Sequence, residues 1–328
     1  MSVPMDRCEV SVIVPVYGCA GCLVALCDRL AAALGTADWE LVLVDDCSPD
    51  GSWSILEALS EADERVRALR LSRNFGQHAA ITAGLAEARG DWAVVMDCDL
   101  QDPPEEIPRL LATAREGYDV VLTKRDRRRH SWYRRIAART YYRACGVLLG
   151  QSMSSDYSTM SVVSRRVVDA FLTLGDRDRQ YLLILHWLGF RRTVLSLHHE
   201  DRYEGRSSYT LGKLIDVAVD GMFFQTTRLL RWIVIIGFFV AACGLGLAAV
   251  FIAFYFTAHA LPGFTALAVL ILCVGGFIIV STGVIGLYVG KIFDQVKGRP
   301  LYVVERRTGE PGSVRTLETT RDKSATSS

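Results

Sequence analysis

Two stretches of this chain, residues 232–256 and 264–288, contain no Asp, Glu, Lys or Arg. At a rise of about 1.5 Å per residue, each is long enough to cross a hydrocarbon core of about 30 Å. Uncharged runs this long and this close together are rare in soluble cores, so they predict a transmembrane hairpin. The loop at 257–263 carries no Lys or Arg, whereas Arg228 and Arg231 precede the first run and Lys291, Lys297 and Arg299 follow the second. Basic flanks stay on the cytoplasmic side. Both flanks, and with them the long N-terminal region, are therefore expected in the cytoplasm of a multi-pass inner-membrane protein. Residues 1–10 hold no apolar run, so no signal peptide is expected.

The remainder of the 328 residues allows about two structural units at roughly 150 residues per domain. A net charge of +1 supplies no global field, which argues against nucleic acid as a partner. The nine cysteines are an odd set and two of them fall in the apolar runs, so no disulfide framework is expected in a reducing cytoplasm. Cys19-x-x-Cys22 has the spacing of half a zinc site or a redox pair. No second Cys or His pair accompanies it, and the sequence treats these residues as small apolar side chains.

From residue 9 the chain alternates in a βα rhythm. Short β-branched runs at 10–15, 40–45, 66–71, 92–97 and 119–123 are separated by amphipathic segments at 23–34, 52–62, 78–88 and 104–116. This predicts an α/β fold whose mostly parallel sheet is covered on both faces. Ligands of such sheets bind at the carboxyl ends of the strands, where this chain carries Asp45-Asp46 and Asp97-Cys98-Asp99. The first βα turn, Pro15-Val-Tyr-Gly18-Cys-Ala-Gly21, is not the dinucleotide fingerprint, and no P-loop sequence is present. Apolar residues recur at helical spacing over 209–230, as in a helix lying in the membrane interface; an ordinary helix packed on the sheet is the alternative. The chain after 290 reads as a cytoplasmic tail, disordered after about 310.

Asp97-Cys98-Asp99, followed by Leu100-Gln101-Asp102-Pro103-Pro104, gathers carboxylates and an amide around one turn. Hard divalent cations take oxygen ligands, and one held by one or two carboxylates keeps positions free for a diphosphate. Mg²⁺ or Mn²⁺ on Asp97, Asp99 and Gln101 would neutralise charge on a departing nucleoside diphosphate.

Pro15-x-Tyr17, Val44-Asp-Asp-x-Ser-Pro-Asp50, Arg73-Asn-Phe-Gly-Gln-His78, Met96-Asp-x-Asp-Leu-Gln-Asp-Pro-Pro-Glu105 and Arg202-x-x-Gly-x-Ser207 together resemble the inverting GT-A glycosyltransferases that load sugars onto polyprenyl phosphate. That family includes dolichyl-phosphate mannose synthase, bactoprenol glucosyltransferases and the undecaprenyl-phosphate formamidoarabinose transferase, and the last is the most similar in its motifs. The resemblance covers about residues 9–305. It implies a GT-A catalytic domain over 1–208, an interface helix over 209–230, a hairpin over 231–290 and a nucleotide-sugar donor, UDP-linked, used in a cell-envelope pathway. It leaves room for a homo-oligomer.

By the same resemblance, Pro15, Tyr17, Val44 and Asp46 hold the nucleoside, and Asp97, Cys98 and Arg202 join them on the donor. Asp99 and Gln101 are the leading metal ligands, and Asp99 and Arg202 are counted with the catalytic residues. Two departures stand out. Gly18-Cys19 replaces the usual Asn-Glu, and Ser207-Ser208-Tyr209 replaces the usual Ser-Lys-Tyr, with Arg206 or Lys213 as substitute cations.

The densest positive cluster runs from Lys124 to Arg139. As a solvated loop it would do nothing specific; beside a membrane it attracts anionic headgroups at about 1 kcal/mol per residue. The resemblance assigns Arg125 and Arg135, with Arg134 or Arg139 as substitutes, to the acceptor phosphate. Asp156 aligns with an acid near the reacting centre. A phosphate monoester has its second pKa near 6, so the nucleophile arrives ionised and Asp156 is open to three roles: orienting acid, general base or strand cap. Of the histidines, His186 reads as core, His198 and His199 as the end of a strand, and none is given a role. Gln225-Thr-Thr-Arg228 with Trp232 falls short of the Gln-x-x-Arg-Trp helix of processive polysaccharide synthases. That enzyme and a non-catalytic nucleotide-sugar-binding membrane protein are the rival readings.

Overall fold

The computed structural model describes residues 8–125, 157–177, 179–197 and 264–308, with the helical stretches 233–239, 242–244 and residue 246 between them. The chain divides into two compact units. One comprises Met1–Arg129, Asp156–Ser207 and Arg299–Ser328; the other comprises His130–Ser155 and Ser208–Gly298.

The first unit is built on one eight-stranded sheet: β1 (Val10–Val16), β2 (Trp39–Asp45), β3 (Val66–Leu71), β4 (Trp92–Val95), β5 (Val120–Arg125), β6 (Tyr157–Ser164), β7 (Arg192–Leu197) and β8 (Val304–Arg307). Their order is β7-β5-β6-β4-β1-β2-β3-β8. β1, β2, β3 and β4 run parallel, and β5 pairs parallel with β7. Only β6 and β8 pair antiparallel with their neighbours.

The central strands read as unbroken apolar runs because both faces are covered. Every residue of β1 and β2 is buried. Val10, Val12, Val14 and Val16 join a core with Leu23, Leu26 and Leu30 of α1 (Leu23–Leu34) and Leu110 of α4 (Ile107–Arg115). Ile13, pointing the other way as strand alternation requires, joins Val44, Ile81 of α3 (Gln77–Glu87) and Phe171 of α5 (Arg165–Thr173). α2 (Ser52–Ala62) and α6 (Tyr181–Trp187) are the other α-helices among the described residues of this unit. α1 stops at Gly35, whose φ of 53° suits a residue without a Cβ.

In the second unit α7 (Phe264–Val296) runs for 33 residues, past the expected end at 288 and through Lys291 and Asp294. Its segment Val274–Val296 has a mean hydropathy of 1.8 and none of it is buried. Ile278, Ile279, Val280 and Ile285 stand exposed on successive faces, the pattern of a helix whose solvent is lipid. Of the first apolar run, 233–239 and 242–244 are helical, and a Cβ at Gly237 would sit 3.4 Å from the Phe277 ring of α7. The rest of that run, the 209–230 segment and the residues after 308 lie outside the described residues. β8 lies within the stretch read from the sequence as a tail.

Candidate active site

Strand direction gathers the site. Since β1, β2, β4, β5 and β7 share one direction, the chain leaves each of them at the same edge of the sheet, and β6, running the other way, enters there. Tyr17, Asp46, Asp97, Arg125 and Tyr157 all fall at this edge. β4 and β2 lie on opposite sides of β1, so strand order reverses between β1 and β4. The crevice outside such a reversal is where open α/β sheets take their ligands.

On the β1–β2 side, backbone ties shape the turn. Asp46 donates its amide to Val16 O at 2.9 Å, and Ser48 donates its amide to Asp45 Oδ1 at 2.9 Å. Gly18 donates to Ser48 Oγ at 3.3 Å and Ala20 donates to Asp50 Oδ2 at 3.0 Å. Cys47, with φ of 57°, sits in a left-handed conformation that costs a non-glycine residue energy and recurs at functional sites. Tyr17 stands 53% exposed beside this turn, a ring free to stack on a planar base. Asp45 is fully buried, with Arg70 Nε 3.6 Å from its Oδ2. Val44 and Pro15 are also buried, so only their backbone can face a ligand.

Asp46 has a structural task as well. Its two carboxylate oxygens accept the amides of Phe75 and Gly76 at 2.7 and 2.8 Å. Burial pushes its carboxyl above the ordinary value; those two amides pull it down without cancelling the rise, and Asp45 adds to it. Asp50 has the opposite balance. Burial raises it, but the Ser52 hydroxyl and the amides of Ala20 and Ser52 outweigh burial and hold it below the ordinary value.

Beyond β4, Gln77 Nε2 donates to Asp97 Oδ1 at 2.7 Å, and the Gln101 amide donates to Asp99 Oδ1 at 3.2 Å. Leu100, buried and with φ of 58°, fixes the bend between them. Asp102 is buried and accepts the Ser158 hydroxyl at 2.6 Å, which ties the turn to β6. Among the described residues no group of three or more His, Cys, Asp or Glu side chains converges on one point. Two carboxylates and an amide on one turn suit a cation that completes its shell with diphosphate and water rather than an all-protein cage.

The structure overturns the reading of Cys19 as a plain apolar side chain and shows one disulfide where no disulfide framework was expected. Cys19 and Cys98 are bonded, with Cα atoms 6.6 Å apart and a sequence separation of 79. The reason is the pairing of β1 with β4, which brings the residues just past both strands together; no sequence spacing reveals it. His186 is also only half-buried, donating from Nδ1 to Leu182 O at 2.8 Å and meeting Tyr157 edge-on, rather than lying in the core.

Thus Tyr17, Asp46, Asp97, Cys98, Asp99 and Gln101 are gathered around one crevice. Gln77 and Ser48 belong with them and were not singled out from the sequence, although Gln77 lies inside the quoted Arg73–His78 motif. Arg134, Arg135, Arg139, Asp156, Arg202, Arg206, Ser208, Lys213, His198 and His199 lie outside the described residues, as does the side chain of Arg125.

Residues 11–172 match the family described as glycosyl transferase family 2. The chain is 37% identical to the undecaprenyl-phosphate 4-deoxy-4-formamido-L-arabinose transferase of Proteus mirabilis, over 92% of this chain and 94% of that protein. The enzyme of the same name from Serratia proteamaculans is 38% identical over 94% of this chain and 97% of its own length. The chain belongs to glycosyl transferase family 2. This glycosyltransferase has the GT-A fold, with the acids of its strand ends in the crevice at the β1–β4 reversal. Among solved structures, S. aureus TarS with UDP-GlcNAc is 19% identical at a TM-score of 0.43, covering 66% of each chain. Glucosyl-3-phosphoglycerate synthase from Mycobacterium tuberculosis, with Mn²⁺, UDP-glucose and phosphoglyceric acid, is 17% identical at 0.48, covering 66% of this chain and 78% of that one.

Proposed function

We propose that this glycosyltransferase moves a sugar from a nucleotide donor to undecaprenyl phosphate, giving a lipid-linked monosaccharide with inversion at C1. What carries the reading is similarity at 37–38% identity along 92–94% of the chain to enzymes named for that acceptor, apolar segments included. The same relatives make 4-deoxy-4-formamido-L-arabinose the first sugar to test.

In this reading the nucleoside lies against Tyr17 and the Asp46 turn, and the diphosphate lies over Asp97 and Asp99. Asp97 and Asp99, with Gln101, would hold Mg²⁺ or Mn²⁺, which when bound supplies positive charge for the departing nucleoside diphosphate. Arg202 joins the donor. Arg125 and Arg135, with Arg134 and Arg139 beside them, take the acceptor phosphate, whose fork-shaped recognition suits arginine. The phosphate is largely dianionic at neutral pH, so its oxygen attacks C1 from the face opposite the diphosphate without surrendering a proton. Asp156 then orients the sugar. Residues 209–230 lie in the interface, and the apolar run at 232–256 pairs with α7 as a hairpin that keeps the catalytic domain on the cytoplasmic side. The close approach of Gly237 to Phe277 supports that pairing. Binding both substrates at the headgroup level replaces a diffusive encounter with proximity.

The deciding experiment incubates purified full-length protein with labelled donor sugars, undecaprenyl phosphate and Mg²⁺. A lipid-linked monosaccharide is the expected product. A polymer would assign the chain to the processive synthases, and no transfer from any donor would leave only a nucleotide-sugar-binding role.

A further inference from the structure

The Cys19–Cys98 bond lies across the crevice at the strand-order reversal. Cys19 follows the exposed Tyr17 at the end of β1, and Cys98 stands between Asp97 and Asp99 past β4. The bond therefore joins the turn assigned to the nucleoside to the turn assigned to the diphosphate. Beside it, the acid turn is held by contacts that include the buried Leu100, the Gln77–Asp97 and Gln101–Asp99 hydrogen bonds and the Asp102–Ser158 tie. Among the described residues, Cys8, Cys27, Cys47 and Cys243 stand outside this bond as thiols. It is also reachable: Cys98 is 9% exposed, but Cys19 is partly exposed at the mouth of the crevice.

We propose that Cys19–Cys98 is a thiol–disulfide exchange site through which a dithiol or glutathione-type reductant controls donor binding. Oxidised, the bond clamps the acid turn to the nucleoside turn; reduced, the turn loosens and the nucleotide sugar binds more weakly. The proposal rests on the reading of the crevice as the donor site.

The exchange balances. A reductant thiolate attacks Cys19 Sγ, the more exposed sulfur, forming a mixed disulfide and releasing Cys98 as a thiolate that takes up a proton. A second reductant thiolate attacks the reductant sulfur of that mixed disulfide and releases Cys19, which is protonated in turn. Two reductant thiols leave as one disulfide, and the protein gains two electrons and two protons. Oxidation by oxidised glutathione runs the same steps in reverse.

The test poises the purified full-length protein in mixtures of reduced and oxidised glutathione and quenches with an alkylating agent. Digestion with trypsin then reports the crosslink between the peptide Cys8–Arg29 and the peptide Gly90–Arg109. Binding of UDP with Mg²⁺ is measured by calorimetry at each poise, beside the KM values of donor and lipid phosphate. The crosslink should form and break reversibly. Reduction should weaken UDP binding and raise the donor KM about threefold to tenfold, the scale of losing one pre-ordered group, with the acceptor KM unchanged. Cys19→Ser should fix the protein at the reduced values, whereas Cys27→Ser should keep the response. A crosslink absent at every poise, one broken only on unfolding, or donor affinity indifferent to poise would each overturn the proposal. Absence of transfer with poise-dependent UDP binding would instead overturn the assigned reaction and leave the exchange site standing.

Discussion

Asp45, Asp46 and Asp50 lie close together in sequence and are held in three ways: against an arginine, by two loop amides, and by a hydroxyl with two amides. The pH linkage of Asp46 differs from that of Asp50 accordingly. Asp50 has its folded pKa lowered, so its contribution to stability is present above the unfolded value of 3.8 and is lost as pH falls through the lower folded value. Asp50→Asn should therefore be less stable than wild type at about pH 6, with the gap closing towards about pH 3 as the wild-type carboxyl protonates. Urea midpoints across that range check it. Asp46 runs the other way: its raised pKa favours folding below the unfolded value, and that favour fades as pH rises through the folded one. Two further residues test the chemistry. Asp99→Asn should lower turnover at least about 100-fold, the cost of removing one charge-stabilising group, without changing membrane insertion or the circular dichroism spectrum. Wild-type-like transfer in excess EDTA would count against a metal. Asp156→Asn should slow transfer by a factor constant from about pH 6.5 to about pH 8.5; a pH limb lost only in the variant would make Asp156 a general base.

At the scale of elements, α3 lies so close to the sheet that a Cβ on Gly84 would stand 2.3 Å from Ile13 Cγ2 and 3.2 Å from Val44 Cγ2. Gly84→Ala gains about 1 kcal/mol of helix propensity, but Ile13 is a stiff, fully buried strand residue with no room to yield. Overpacking of about 1–3 kcal/mol should win, visible as a lower denaturation midpoint with an unchanged slope. The same elements show what a sequence makes legible. The bounds read for α1 and α2, 23–34 and 52–62, are those observed, because apolar spacing and a flanking Gly are local signals. Asp46, Asp97 and Asp99 were legible for a related reason, since strand direction alone puts them on one edge. β8 was not. Its sequence Val-Glu-Arg-Arg has one apolar side chain and becomes a strand only because β3 offers an edge, with Arg307 reaching Glu87 at 2.9 Å. Cys19–Cys98 was hidden likewise, as a contact made by pairing across the fold.

On the scale of the whole molecule, the sheet is finished by residues that follow the apolar helix. Val304 is buried in the core, Ser72 donates to Val303 O at 2.9 Å, and Thr308 Oγ1 accepts the Ala68 amide at 2.9 Å. A chain truncated after residue 207 should therefore lose stability to urea relative to one in which residues 299–310 are joined back through a flexible linker, and should aggregate through the bare edge of β3. Equal midpoints for the two would show that β8 is dispensable. During synthesis this arrangement imposes an order. When the ribosome has made residues 1–207, seven of the eight strands exist, yet the last cannot pair until the 33 residues of α7 have been translated and have left the exit tunnel. If the translocon takes up that helix as it emerges, the outer edge of the sheet closes only on a polypeptide already committed to the bilayer.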